Sequence, residues 1–164
     1  RPLPIYANPT AMGHLRRVHA HAFHDGEHPR GYFVPEEHVI DGPFEIGDLR
    51  ISPFDLPHGS MGSTGFLFEQ ADVKRLAYFT DAKSIPYEAV QAATEVEVLV
   101  LDALRPQEHW THMSTGEALA VAESVGTRQT WFTHLTHYYD HDVDDAKLPE
   151  GVRLAWDGLK VVLK

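Results

Sequence analysis

The chain has 164 residues, 43% of them apolar, enough for one domain with a real hydrophobic core. It has no cysteine, which excludes a disulfide framework and any thiolate site, so a bound metal must be held by His, Asp or Glu. The formal net charge of −10 leaves no basic stripe to steer a polyanion, and short apolar runs with no charged-then-apolar start lead us to expect a cytoplasmic protein without a membrane span.

The segment "PIYA" reads as a strand, and Asn8 with Pro9 supplies a cap and a first-turn proline for a helix through about His19. "HAHAF" therefore falls at a fraying helix end. From Gly26 to Pro35 the chain is polar and rich in Gly and Pro, after which "HVIDGPFEIGDLRISPFDLPHG" predicts short strands in a β-meander, broken at Asp-Gly and Gly-Asp. "GFLFE" and "RLAYFT" predict a further antiparallel pair joined by "QADVK". Ser84 is expected to cap a helix through about Ala93, and "EVLVLD" reads as a strand buried on both faces. Ser114 and Glu117 form a capping box for the helix "TGEALAVAESVG", which Gly126 stops. "QTWFTH" is a second buried strand, and "VRLAWDGLKVVL" predicts a hairpin about Asp157-Gly158. With no repeat or linker, residues 1–164 read as a single α+β domain with helices against a central sheet.

Four of these strands run out at a residue that can bind metal or move a proton: His58, Asp81, Asp102 and His134. For any one of them the start of a polar loop is an equally good explanation. Together they point to one sheet edge, where rigid strand ends bring distant residues within reach of one ion, and Asp among His suits a hard or borderline cation. His112 stands two residues before the capping Ser114, beside the positive end of a helix where a phosphate is favoured. His109, further from that helix start, is the second choice for the same role. His137 reads as a supporting residue, Asp140 and His141 as solvated loop, Asp157 as a turn residue, and Trp110, Trp131 and Trp156 as packing rather than recognition.

With His58, Asp81, His112 and His134 in this order, the chain resembles the metallo-β-lactamase superfamily, and within it the phosphoribosyl cyclic phosphodiesterases of the carbon–phosphorus lyase pathway. The likeness is carried by "YFTDAKSIP", "VEVLVLDALRP", "HMSTGEALAVAE", "WFTHLTH" and "LAWDGLKV", with "PHGSMGSTGFLFE" and "PIYANPTAM" adding to it. It implies a metallo-β-lactamase-like αββα sandwich and a phosphoric diester hydrolase acting on a small cyclic phosphate ester through a metal-activated hydroxide. It also implies His58, Asp81 and His134 as metal ligands, with Asp81 bridging two divalent ions such as zinc or manganese. His112 would protonate the leaving oxygen or steady the phosphoryl group, while Asp102 and His137 would orient ligands or substrate.

The family's His-x-His-x-Asp-His motif is the test for "HAHAFHDG". His19, His21 and His24 match its spacing only with Phe23 where the Asp belongs, and they end a helix instead of opening one. They read as surface histidines, with Asp25 beside them. In the family the "PIYANPTAM"-like segment follows the metal motif, so the chain is expected to be a C-terminal portion, incomplete at its N-terminus and holding one ion or none by itself. Two rival readings stand beside the phosphodiesterase: a transfer-RNA 3′-end endonuclease of the same superfamily, disfavoured by the acidic balance, and a truncated non-catalytic half-domain that pairs with its missing half or with another copy of itself.

Overall fold

The computed structural model describes residues 2–24, 26–28 and 31–163, which form two compact units, Arg1–Phe44 and Glu45–Lys164. In the first unit, β1 (Leu3–Ala7) leads into α1 (Pro9–Val18), and β2 (Pro35–Val39) returns parallel to β1. Asn8 caps α1 by accepting from the Ala11 amide at 2.8 Å, with Pro9 in the first turn and His19 as the C-cap, as the sequence predicts. Tyr6 stacks on His38 at 4.4 Å and on Phe44 at 5.1 Å. The predicted meander is corrected here. Its first strand, β2, lies parallel to β1, because the intervening helix carries the chain back to run in the same direction.

The second unit is built on a seven-stranded sheet whose order follows the chain: β3 (Phe44–Ile46), β4 (Leu49–Leu56), β5 (Ser63–Gln70), β6 (Val73–Phe79), β7 (Val98–Asp102), β8 (Thr130–Thr133) and β9 (Val152–Leu154). β4, β5 and β6 are antiparallel neighbours, whereas β6 to β9 are parallel. The β5–β6 turn is tight. Ala71 and Asp72 both take positive φ, 50° and 61°, which matches the twist of a two-residue hairpin and lets Gln70 pair with Val73. The parallel crossovers carry α2 (Tyr87–Ala93), α3 (Thr115–Val125) and α4 (His141–Asp145).

α3 has the predicted capping box and ends at Gly126, whose φ of 72° suits a residue without Cβ. α2 starts later than predicted. Its N-cap is Pro86 and Ser84 makes no cap, because the residue before a proline is driven out of the helical region and Ile85 occupies that place. The C-terminal hairpin is also corrected. The chain turns at Asp157-Gly158, with the Leu159 amide on the Trp156 carbonyl at 3.0 Å, but residues 159–163 form no strand. Val162 is 83% exposed, so a returning strand would have no buried face to hold it.

The core of this unit lies between the sheet and α2 and α3. Phe79, Leu99, Leu101 and Phe132 are fully buried there, and Ala89 with Ala93 and Ala118 with Ala122, one helical turn apart, give each helix a small-residue face. Among the described residues no helix is long and apolar enough to cross a membrane.

Candidate metal centre

Because two antiparallel steps separate β4 from β6, those strands point the same way, and β7 and β8 continue in parallel. The C-terminal ends of β4, β6, β7 and β8 therefore lie along one sheet edge, and from them project His58, Asp81, Asp102 and His134. The loops that carry these residues are tied together by main-chain bonds. The Lys83 amide donates to the Pro57 carbonyl at 2.7 Å, Ala103 to Thr133 at 3.1 Å and Leu104 to Met113 at 3.0 Å.

Among the described residues, the group able to hold a metal ion is His58, Asp81 and His112, whose ligand atoms lie within 4.8 Å of one another. That separation is slightly more than the span of two metal–ligand bonds of about 2.0–2.2 Å each. His134 joins the group through Asp81, its Nε2 lying 3.3 Å from Oδ1, and the His112 ring centroid stands 4.6 Å from that of His58 and 4.8 Å from that of His134.

Two of the three imidazoles are oriented from behind. His58 Nδ1 donates to the Thr111 carbonyl at 3.1 Å, and His112 Nδ1 donates to Asp102 Oδ2 at 3.1 Å. A carbonyl or an ionised carboxylate can only accept, so the proton of each neutral ring sits on Nδ1 and the Nε2 lone pair is left for the site. The residues present thus fit a divalent ion. Three imidazoles and a carboxylate are within reach, and two imidazoles with a carboxylate already make a donor set of the kind that zinc and manganese accept.

Asp102 is fully buried and also accepts from the Ala82 amide at 3.3 Å. Burial pushes its carboxyl up to about 6, against the pull of the Ala82 amide and the electrostatic interaction with His134. His112 is held below the ordinary imidazole value, first by burial and then by repulsion from His134 and His58, although Asp81 opposes this. Its neutral form is favoured in the metal-free protein.

Asp81 and His134 have φ of 57° and 59°, left-handed conformations that side-chain-bearing residues seldom adopt. Such strain gathers where function over-determines the backbone. Ser63 helps to hold it, donating from Oγ to the Asp81 carbonyl at 2.7 Å. Ser63 and the Thr111 carbonyl were invisible to sequence reasoning, since their partners are 18 and 53 residues away.

The expected phosphate at the start of α3 meets competition. The Thr115 amide donates to the Arg105 carbonyl, the Ser114 amide to Glu117 Oε2 and the Glu117 amide to Ser114 Oγ. Burial opposes ionisation of Glu117, but hydrogen bonds from Lys83 and Ser114 outweigh it and hold the carboxyl below its ordinary value. A carboxylate therefore already occupies that positive end.

His109 is held beside the group, with Nδ1 3.1 Å from Thr111 Oγ1 and its ring 5.3 Å from His112. His137 is exposed and its ring lies 4.5 Å from that of Tyr138. Asp140 caps α4 rather than standing in a loop, accepting from the Val143 amide. In the first unit His24 lies against His28, at 4.5 Å, and His19 against His21, at 6.0 Å. Asp25 lies outside the described residues.

A family model described as the β-lactamase superfamily domain matches residues 1–135. The chain belongs to the metallo-β-lactamase superfamily. Members of this superfamily are largely metal-dependent hydrolases that bind divalent metals such as zinc. The chain is similar to a solved diphosphatase of the PhnP family, at 28% identity and a TM-score of 0.86 over 100% of this chain and 60% of the other. It also shares the superfamily fold with the short form of human tRNase Z, at 16% identity and a TM-score of 0.69, covering 99% and 68% of the two chains. A curated octanoyltransferase of Porphyromonas gingivalis is 25% identical over 99% of this chain but only 33% of its own length. The chain thus spans one third of that relative and three fifths of the diphosphatase.

Proposed function

We propose that these residues serve a metal-dependent phosphodiesterase that hydrolyses a small cyclic phosphate ester of the phosphoribosyl cyclic phosphate kind. The observation that carries this reading is the metal-capable group of His58, Asp81 and His112 at one sheet edge, with Asp102 behind His112 and His134 beside Asp81. The likeness to the PhnP-family diphosphatase supports chemistry at phosphorus, since that protein covers the whole of this chain at 28% identity. The net charge of −10 favours a small substrate over transfer RNA.

His58, Asp81 and His134 would hold the metal, which when bound supplies a Lewis acid for the phosphoryl group and lowers the pKa of an attacking water. His112 presents Nε2 to the substrate. A phosphoryl group's negative charge raises the proton affinity that burial lowers, so His112 can carry a proton to the leaving oxygen while Asp102 steadies the resulting imidazolium. His58 is kept in register by Thr111, and Ser63 Oγ, donating to the Asp81 main-chain carbonyl, helps to hold the loop that carries the Asp81 carboxylate.

The test begins with metal content per chain after purification without chelator. It continues with phosphorus NMR of phosphoribosyl 1,2-cyclic phosphate incubated with the metal-loaded protein. Conversion of the cyclic diester to a monoester, lost in Asp81→Ala, is the expected result. A metal-loaded protein that leaves the cyclic ester intact would overturn the reading.

A further inference from the structure

Trp110 was expected to pack, yet it is 78% exposed. A bare indole forfeits much of the burial that makes tryptophan favourable inside a protein, and its ring is left open to a planar ligand. The surrounding contacts show that it is placed. An ideal Cβ on Gly59 would lie 3.5 Å from Trp110 Cζ3 and 2.9 Å from Thr111 Cγ2, so the segment carrying the indole is seated on a glycine backbone directly after His58. Gly59 has a φ of 56°, which suits glycine on conformational grounds as well. On the other side His109 forms the step between the indole and the centre, its ring 6.3 Å from Trp110 and 5.3 Å from His112. His109 is itself fixed, because Nδ1 accepts from the Thr111 amide at 3.3 Å.

We propose that Trp110 is a specificity residue: a flat platform, one side chain removed from the phosphoryl-binding imidazoles, that stacks on the planar ring of a nucleotide-sized substrate. The inference rests on the phosphoester reading above and goes beyond it, adding esters that bear a flat aromatic group to the phosphoribosyl class, which has none. A single base is the fitting occupant. Base–aromatic stacking needs only one exposed ring face, whereas a longer strand would need a cationic track, which a net charge of −10 disfavours.

The experiment is calorimetric titration of the full, zinc-loaded chain with adenosine 5′-monophosphate and, separately, ribose 5-phosphate, which differ by the base. Wild type should bind the nucleotide at least tenfold more tightly. Trp110→Ala should erase most of that preference and Trp110→Phe, which keeps a flat ring, should retain it. Equal affinity for the two ligands in wild type, or a preference that survives Trp110→Ala, would overturn the inference and leave the phosphoester reading standing. Failure of both ligands to bind wild type would sink the phosphoester reading and this inference with it.

Discussion

The side chains of Asp102 and His112 meet at 3.1 Å in the interior, the carboxylate fully buried and the imidazole nearly so. The carboxylate holds the ring in one tautomer, while the lack of solvent makes its own charge expensive.

That expense predicts a pH-dependent stability. The Asp102 carboxyl is raised from 3.8 to about 6, so the folded protein holds this proton more tightly than the unfolded chain does. The resulting stabilisation is fully present below pH 3.8 and is lost as pH rises through about 6, a change on the order of 3 kcal/mol. In urea titrations of metal-free protein, Asp102→Asn should therefore gain on wild type between pH 4 and pH 7. A stability difference that stays flat over that range would show that the charge is well solvated.

His112→Ala should lower turnover by about 10²-fold or more, the usual worth of a positioned proton donor, with metal content per chain unchanged. Elemental analysis beside the kinetics separates the roles. Loss of metal in step with activity would make His112 a ligand, a result compatible with its place within 4.8 Å of His58 and Asp81.

His134→Gly should stabilise the metal-free fold while weakening metal binding. The φ of 59° strains a histidine but suits glycine, and relief of that strain is worth about 1 kcal/mol. Thermal melts with and without zinc would show it. A variant that is less stable without metal would place the ring's packing above the backbone strain.

Gly59→Ala should disturb the neighbouring Thr111 and Trp110. The added Cβ meets Thr111 Cγ2 at 2.9 Å at a φ of 56°, and Thr111 is the residue whose carbonyl orients His58. Weaker zinc binding and a loss of stability of about 1–3 kcal/mol are expected, measured by metal titration and urea unfolding. Wild-type values for both would show that the loop shifts without cost.

Much of the local structure was legible in the sequence because its causes are short-range. Asn8 and Pro9 start α1, and Ser114, Glu117 and Gly126 bound α3, through bonds that span only a few residues. The strand pairs around the β5–β6 turn are local in the same sense. Ser84 misled because the neighbouring proline governs the helix start more strongly than a distant capping hydroxyl. The Asp157-Gly158 turn formed without a hairpin because a turn does not by itself provide a buried face.

By itself the sequence determined which residues could do chemistry: it set His and Asp at strand ends, removed thiolates and made the chain acidic. Only the tertiary structure decided which of them meet. The parallel run from β6 to β9 and the double reversal from β4 to β6 bring His58, Asp81, His112 and His134 to one edge, and the same packing buries Asp102 behind His112 while leaving Trp110 in solvent. Those outcomes depend on strand direction and on partners far apart in the chain, which local propensity does not encode.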